Sequence, residues 1–366
     1  MSRLPERLRA LCRAAALLCA ALSALPAGAE PLIQPLAGAG STAAAPVYRI
    51  WATEYAKDHG EPLAYDAVGS GAGMARIEAG SVDFGASDVI ASKADLAKHD
   101  LVMFPTVITG VVPIVNVAHL GPNRLHLSGD VLARIFLGEI TQWNAPEIRA
   151  LNPGLALPAE PIVLVVRADG SGTTYHFADY LGRQSAAWKQ RYPAATKLAW
   201  PATAQAVAGS GGVSKTVRAT EGAIGYIDYN YVLDDGLAGV ALRNADGQFV
   251  SASAEGFREA ALHSSWYATG DFASELNDMP GPKSWPITMG TYIAVPRVAN
   301  RASQVERALR FVTWGYLHGD LLARQAKFVP LPDKVQASAY NEMARVLDPS
   351  GKSLGAAALA DLMKAR

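Results

Sequence analysis

The sequence predicts an α/β fold with mostly parallel sheets, and three observations support this. One five-residue segment, 162–166, consists only of Ile, Val and Leu, which is typical of a fully buried parallel strand. Three segments rich in Gly, Ser and Thr each precede a stretch in which apolar residues have helical spacing. The chain has 366 residues, 50% of them hydrophobic, which suits roughly two domains of about 150 residues. Strands that alternate with helices in this way indicate βαβ units.

The first of these segments covers residues 37–42. The apolar residues after it recur at i, i+3, i+4 and i+8, which predicts one face of a helix, and Pro46 suits the first turn of that helix. The second segment, 67–73, precedes a helix that we expect to end at Gly80. The third, 167–174, follows the apolar strand directly. Helix N-termini present unpaired N–H groups that attract anions, although Ser and Thr are also ordinary N-caps.

Further elements follow the same alternation. Ser128 is expected to cap a helix, and two more helices are expected around residues 305–312 and 335–347. Clusters of Pro and Gly at 151–161 and 279–286 indicate loops, and the second is a candidate crossover between domains.

Residues 1–29 contain, in this order, the charged, apolar and small-residue segments of a secretory signal peptide. Four arginines precede an apolar run, 14–25, and small residues lead to a cleavage site after Ala29. The run is shorter than the roughly 20 residues that a membrane span needs; an N-terminal anchor or a buried helix is the alternative. Cys12 and Cys19 both lie in this segment, so we expect a mature chain with no disulfide and no thiolate metal site.

The charge balance excludes several kinds of partner. The chain has 33 basic and 33 acidic residues, and removal of residues 1–29 leaves 29 and 32, a net charge of about −3. No positive field attracts nucleic acid or an acidic membrane. The seven histidines show no close pair at metal spacing, and for His176 we favour a surface or capping role over catalysis. We therefore expect no metal, no cofactor and no nucleic-acid partner.

Arg167 is the first candidate site residue. It stands at the carboxyl end of the apolar strand, where ligands of open α/β sheets bind, and a guanidinium there can hold an oxyanion through two N–H groups. Asp169 is expected to hold Arg167 in place; a purely structural Arg–Asp pair is the alternative.

Asp88 is the second candidate. A carboxylate in an anion site repels a fully ionised ligand, but it can accept a proton that the ligand carries. Phosphate has such a proton near neutral pH and sulfate has none, so Asp88 would exclude sulfate. A loop or N-cap Asp is the alternative.

Taken together, an ordered series of segments resembles the phosphate-binding proteins of bacterial ABC-type phosphate importers, the PstS family. The series covers nearly the whole mature chain and consists of residues 38–42, 82–88, 104–107, 151–154, 167–173, 222–226 and 285–288. The resemblance implies a two-lobed periplasmic-binding-protein fold (type II), with lobe I formed by 30–107 plus 286–366 and lobe II by 108–285. It also implies a periplasmic, monomeric and non-enzymatic protein that passes inorganic phosphate to the transmembrane subunits of an ABC permease with a cytoplasmic ATPase.

The resemblance also implies a set of phosphate-binding residues. Thr42 and Ser70 would donate hydroxyls, Asp88 would accept the phosphate proton, and Arg167 would be the charge partner, supported by Asp169. The other expected contacts come from the backbone of Ala43 and from Ser171, Gly172 and Thr173. Many relatives carry Phe where this chain has Ala43, which reduces an apolar wall over the ligand, and some have a second Ser at Gly71.

Other functions are less consistent with the sequence. Residues 38–43 nominally fit a dinucleotide-binding pattern, but Pro31 and Pro35 interrupt the strand that should precede it. Neither the full phosphate-loop pattern Gly-x-x-x-x-Gly-Lys-Ser/Thr nor a Gly-x-Ser-x-Gly elbow appears in the sequence. A phosphatase would need a metal cluster or an activated nucleophile. Tyr226 and its neighbours suggest core packing more than a stacking platform. Binding of another oxyanion or an organic phosphate, or a sensory role, stays open.

Overall fold

A computed structural model describes residues 34–364, which form thirteen strands and fifteen helices. The strands are β1 (Leu36–Gly40), β2 (Leu63–Ala67), β3 (Phe84–Ser87), β4 (Leu101–Asn116), β5 (His126–Leu127), β6 (Val163–Arg167), β7 (Gln205–Val207), β8 (Ala223–Asp228), β9 (Ala238–Gly239), β10 (Ala241–Arg243), β11 (Phe249–Val250), β12 (Thr288–Pro296) and β13 (Val329–Pro330). The helices are α1 (Ala45–His59), α2 (Ser70–Glu78), α3 (Lys93–Lys98), α4 (Gly129–Phe136), α5 (Pro146–Leu151), α6 (Gly172–Gln184), α7 (Ala186–Arg191), α8 (Gly209–Ala219), α9 (Tyr229–Asp234), α10 (Ala254–Leu262), α11 (Ser265–Thr269), α12 (Ala302–His318), α13 (Asp320–Gln325), α14 (Asp333–Met343) and α15 (Leu354–Lys364).

Ten of the strands form one continuous sheet in the order β2-β1-β3-β12-β4-β8-β6-β7, with β9 and β13 also paired to β4. Strand β1 is parallel to β2 and β3, and β6 is parallel to β7 and β8. The joining strands β4 and β12 run antiparallel to each other and to their neighbours β8 and β3. The predicted α/β class is therefore confirmed, but the sheet is mixed rather than mostly parallel, because the chain reverses direction where it joins the two halves.

Strand β4 connects the two halves of the sheet. It pairs with β12 up to Gly110 and with β8 from Val111 onward. The N–H of Val111 also donates to the carbonyl oxygen of Ile287 at 2.8 Å. The chain thus passes between the halves near residues 110 and 287. The lobe borders expected from the sequence, 107/108 and 285/286, remain a prediction.

Aromatic side chains pack the helices onto each half of the sheet. In the first half, Phe311 of α12 stacks on Phe84 of β3 at 6.4 Å between ring centroids and meets Trp51 of α1 edge-on. In the second half, Phe177 of α6 stacks on Tyr226 of β8 at 4.3 Å. Each pair fixes a helix against a strand that leads to the site described below.

The first Gly/Ser/Thr-rich segment is a strand and not the expected loop. Residues 36–40 form β1, which is buried between β2 and β3. A Cβ on Gly38 would lie 2.0 Å from the Phe84 ring, and one on Gly40, whose φ is +148°, would lie 1.9 Å from the carbonyl oxygen of Ala86. Glycine is needed here because the neighbouring groups come so close. The second expected loop, 67–73, is also shorter, because α2 begins at Ser70.

Several local predictions are confirmed. Ser128 accepts a hydrogen bond from the N–H of Val131 as the N-cap of α4, and Pro46 stands in the first turn of α1. The helices expected near the C-terminus are α12 and α14. Within residues 34–364, no helix combines the length and the apolar character that crossing a membrane requires. The predicted signal peptide, 1–29, lies outside the described residues.

Candidate functional site

The site forms where strands end and helices begin. Strands β1, β3, β6 and β8 lead at their carboxyl ends into Ser41, Asp88, Arg167 and Asp228. The helices α1, α2, α6 and α8 begin beside the same residues. Both halves of the sheet contribute, so polar side chains from four strand ends meet in one buried cluster. This is the edge of an open α/β sheet at which ligands are expected.

Asp88 is bonded through one oxygen and unpartnered at the other. The hydroxyls of Ser41 and Ser70 both donate to its Oδ2, at 2.8 and 3.1 Å. Its Oδ1 is equally buried, yet no group among the described residues hydrogen-bonds to it. Burying an acceptor without a hydrogen-bond donor destabilises the folded chain, and a ligand that donates to Oδ1 would remove that cost. Asp88 therefore offers one free acceptor atom inside the site.

Asp88 is also easier to protonate than an ordinary carboxyl. Burial is the main cause, and the charge of Asp228 adds to it; the bonds from Ser41 and Ser70 and the proximity of His176 oppose both. The balance raises the pKa of Asp88 from 3.8 to about 6. The carboxylate is thus ionised above neutral pH but accepts a proton readily.

Arg167 is a buried cation held by Asp169. Its Nε donates to Asp169 Oδ1 at 2.8 Å and its Nη2 to Asp169 Oδ2 at 2.5 Å, a bidentate pair. Asp169 is held in turn by the N–H of Gly209 at 3.0 Å. The expected support of Arg167 by Asp169 is present in the structure, and it leaves the outer face of the guanidinium directed at hydroxyl groups.

The two charges stabilise each other against burial. Burial by itself lowers the pKa of Arg167, but the hydrogen bonds and charge of Asp169, together with the charge of Asp228, outweigh it and raise that pKa. Burial likewise raises the pKa of Asp169, but the bonds and charge of Arg167 outweigh it and lower that pKa. Both groups are therefore charged across the physiological pH range.

Asp228 and Ser210 belong to the cluster although the sequence analysis does not assign them to it. The Ser210 hydroxyl donates to Asp228 Oδ2 at 2.6 Å, and Thr173 donates to Oδ1 at 2.9 Å. Arg167 Nη1 donates to Ser210 Oγ at 3.3 Å. A signal for Asp228 exists in the sequence, since it ends an apolar strand just as Arg167 does.

Helix α6 brings backbone donors to the site. Ser171 is its N-cap, and its Oγ accepts from the N–H of Thr174 at 3.2 Å. The following amides, of Gly172 and Thr173, are in the first turn, where N–H groups have no partner within the helix. A Cβ on Gly172 would lie 2.5 Å from Asp88 Cβ, so only glycine lets the helix start approach Asp88 this closely.

The two halves of the sheet touch each other at the site. Thr42 Oγ1 lies 3.0 Å from Ser210 Oγ and accepts from Arg167 Nη2 at 3.3 Å. The N–H of Gly71 donates to the carbonyl oxygen of Gly170 at 3.1 Å. Residues of α2 and of the loop after β1 thus contact β6, the loop after it and α8 directly, and the cluster is enclosed from both sides.

The structure brings the predicted side chains together. They form two hydrogen-bonded groups: Ser70 donates to Asp88, and Arg167 donates to Asp169, Thr42 and Thr173. The close approach of Gly172 to Asp88 brings the two groups together. The Ser171 hydroxyl caps α6 instead, and Ala43 and Gly172 can contribute only backbone groups.

The sequence also predicts the surroundings of His176 and Tyr226, and the structure agrees only for Tyr226. His176 is not on the surface: it is buried, its Nε2 lies 2.6 Å from the carbonyl oxygen of Asp88, and its Nδ1 lies 3.3 Å from Glu275. An apolar helix face, with Phe177 beside it, turns this part of α6 inward. Tyr226 packs in the core as expected, against Phe177.

The comparisons with known proteins agree with this architecture. The family model described as the PBP superfamily domain matches residues 25–275. The chain is 40% identical over 300 residues to the phosphate-binding protein PstS of Haemophilus influenzae, and the aligned region covers 82% of this chain and 90% of that protein. It is 39% identical over 309 residues to the phosphate-binding protein PstS of Xylella fastidiosa, with 83% and 84% covered.

Solved structures give the same result for the fold. A high-affinity periplasmic phosphate-binding protein (PfluDING) bound with phosphate superposes with a TM-score of 0.70 at 22% identity, covering 89% of this chain and 98% of that one. The phosphate-binding protein from Stenotrophomonas maltophilia gives 0.65 at 20% identity, covering 88% and 98%. The two-lobed periplasmic-binding-protein fold is thereby confirmed. The chain belongs to the PstS family of phosphate-binding proteins, within the PBP superfamily.

Proposed function

We propose that this chain binds inorganic phosphate in the periplasm and delivers it to an ABC-type membrane permease for import. The observation that carries the proposal is the free, buried Oδ1 of Asp88, which shares one cluster with the cation Arg167. An anion that also carries a proton satisfies both groups at once. Phosphate does so near neutral pH, whereas sulfate would place an unprotonated oxygen against Asp88.

The proposal also assigns contacts with the anion to the other residues of the site. Thr42, Ser70 and Thr173 supply side-chain oxygens around the anion, and Arg167, held by Asp169, neutralises its charge. The backbone N–H groups of Ala43, Gly172 and Thr173 would donate from the starts of α1 and α6, where the positive ends of the helix dipoles also favour an anion. The N–H of Ser171 is already used, since it donates to the carbonyl oxygen of Thr196 at 2.9 Å. Neutral donors thus replace the hydration shell of the ligand.

The same proposal assigns a role to the two-part sheet. Lobe I would comprise 30–107 plus 286–366 and lobe II 108–285, and the strand crossings near residues 110 and 287 would act as the hinge. Binding would close the lobes over the ligand, and the closed form would dock on the permease as a monomer. Residues 1–29 would direct export and be removed. Binding of the anion and closure of the lobes need no covalent chemistry.

Calorimetric titration tests the proposal. The chain from residue 30 onward is freed of ligand by partial unfolding, refolded, and titrated first with phosphate and then with sulfate. We expect one phosphate per chain, bound tightly, and no heat from sulfate. A folded, ligand-free protein that gives no heat with phosphate would overturn the proposal, and other oxyanions and organic phosphates would be titrated next.

A further inference from the structure

A groove lies on the second half of the molecule, at the edge of the sheet opposite the anion site. The loop 152–162 leads into the amino end of β6, whereas Arg167 stands at the carboxyl end of that strand. Two adjoining depressions, of about 630 and 520 Å³, share a wall formed by residues 152–155, and together we call them the distal groove. None of the residues that line it belongs to the anion site.

Hydrogen bonds of Asn152 hold the wall of the distal groove in place. The buried side chain of Asn152 accepts from the N–H of His126 at 2.8 Å and donates to the carbonyl oxygens of His126 and Ile148, both at 2.8 Å. One amide thus ties the wall to both β5 and α5. A surface that is already ordered loses little conformational entropy when a ligand binds to it.

Three arginines around the distal groove have no acidic partner. Arg149 lines the first depression and Arg124 the second, and Arg243 ends the nearby strand β10. All three are exposed, and within residues 34–364 none of their guanidinium groups forms an ion pair or a hydrogen bond. The acid closest to Arg149 in the sequence, Glu147, is already paired with Arg134 at 2.8 Å.

Two stacked rings extend the groove from Arg124 to Arg243. The ring of His126, which lines the second depression, stacks on Phe249 with 4.5 Å between ring centroids and 17° between ring planes. The guanidinium of Arg243 lies 4.9 Å from the centroid of the same Phe249 ring. These side chains share one face of the small sheet β5-β10-β11. The stack therefore orders Arg243 and leaves its N–H groups available to a ligand.

The residues around the distal groove favour a ligand that is both acidic and partly apolar. Unpaired guanidinium groups bind carboxylates and phosphates. Between the arginines, Leu151, Pro153 and Leu155 present apolar surface, which a chain of phosphates cannot use. A polypeptide with Asp or Glu next to apolar residues has both kinds of group. A flat membrane does not enter a concave groove.

We propose that the distal groove is a docking site for an acidic, partly apolar segment of another polypeptide, with Arg124, Arg149 and Arg243 binding its carboxylates. Because the groove and the anion site share no lining residue, the segment binds the chain with or without an anion. The proposal does not rest on the proposed phosphate-binding function.

Fluorescence anisotropy with a defined probe tests the proposal. The probe is a labelled peptide of three Glu-Glu-Leu repeats, added to the chain from residue 30 onward at low salt. We expect saturable binding that weakens at least about tenfold when the salt concentration rises to roughly 0.2 M, because exposed charges are screened. A labelled peptide of three Lys-Lys-Leu repeats should not bind. Absence of binding by the acidic peptide, or equal binding of both peptides, would overturn the proposal.

Arginine variants identify the binding surface. Arg124→Ala, Arg149→Ala and Arg243→Ala should each weaken peptide binding about threefold, which is the scale of an exposed ion pair, and the triple variant about thirtyfold. Arg258→Ala is the matched control, since Arg258 is an exposed arginine on α10 that also forms no ion pair within the described part of the chain. It should bind the peptide like the wild-type chain. A triple variant that keeps wild-type affinity would overturn the proposal.

Two further measurements separate this inference from its alternatives. Inorganic polyphosphate and phosphatidylglycerol vesicles should displace the acidic peptide less well than an unlabelled copy of it at equal charge concentration. If either displaces it better, the groove binds a phosphate polymer or a membrane and the proposal is wrong. Calorimetry with inorganic phosphate should give the wild-type affinity for the triple variant; a loss of phosphate affinity would contradict the independence of the two sites.

Discussion

Replacing Asp88 by Asn tests the selectivity of the site most directly. Ser41 and Ser70 both donate to the same oxygen of Asp88, so they fix the orientation of the amide that would replace the carboxylate. The single amide oxygen keeps both serine bonds, and the NH₂ group takes the position of Oδ1. The variant thus presents a donor to the ligand where the wild-type chain presents a charged acceptor.

The magnitude follows from the charge that is removed. Two like charges about 4 Å apart repel by about 4 kcal/mol at the effective dielectric constant of a partly buried site. Sulfate bears this cost against Asp88 in full, whereas phosphate avoids it by donating a proton. The substitution should therefore strengthen sulfate binding by about 100- to 1,000-fold and change phosphate binding by less than about tenfold.

Competition calorimetry at constant ionic strength measures both affinities, with Asp66→Asn as the control. Asp66 is an exposed carboxylate that pairs with Arg76 in the same half of the molecule. The control should exclude sulfate as the wild-type chain does. An Asp88→Asn chain that still binds phosphate but excludes sulfate as strongly as the parent would refute the role given to Asp88.

Three further predictions concern the same cluster. Arg167→Ala should weaken phosphate binding at least a hundredfold, as measured by calorimetry, because it leaves Asp169 and the ligand without their buried cation; near wild-type affinity would remove Arg167 from the site. Gly172→Ala should cost at least tenfold in affinity, since its Cβ would lie 2.5 Å from Asp88 Cβ, whereas Gly211→Ala, with nothing within 4 Å, should bind normally. Burial raises the pKa of Asp88 from 3.8 to about 6, so the bound proton stabilises the folded wild-type chain at low pH, and this stability is lost as the pH rises through about 6. Asp88→Asn has no such proton to lose. In urea unfolding without ligand, its free energy of unfolding should therefore rise by roughly 2.5 kcal/mol relative to that of the wild-type chain between about pH 4 and pH 7.5. Equal pH dependence of the two chains would contradict this.

The sequence predicts the parts of the site that depend on local rules. Arg167 is identified because an apolar strand ends at it, and the start of α6 because Ser171 is a standard N-cap. Both features are decided within a few residues. The same rule also applies to Asp228, which ends the apolar strand β8.

Other features depend on contacts between distant segments. The Gly-Ala sequence of β1 has little tendency to form a strand by itself. It forms a strand because distant segments pack closely against it. The Phe84 ring fills the space beside Gly38, and α2 comes so close to Gly40 that a Cβ on Gly73 would lie 2.3 Å from Gly40 Cα. The burial of His176 has a similar origin, since its ring nitrogen meets a carbonyl oxygen 88 residues away. Local patterns carry no information about such contacts.

The site binds an anion although its carboxylates outnumber its cations. The site holds three carboxylates, of Asp88, Asp169 and Asp228, and one guanidinium, of Arg167, so net charge cannot be the source of affinity. The hydroxyls of Ser41, Ser70, Thr173 and Ser210 already donate to carboxylates. The attraction therefore has to come mainly from the N–H groups at the starts of the helices around the site, where the positive ends of the helix dipoles lie. Asp88 then acts on selectivity, because its free oxygen penalises a ligand that arrives without a proton. Affinity and selectivity are thus carried by different groups, and substitution of Asp88 should change which anion binds more than how tightly phosphate binds.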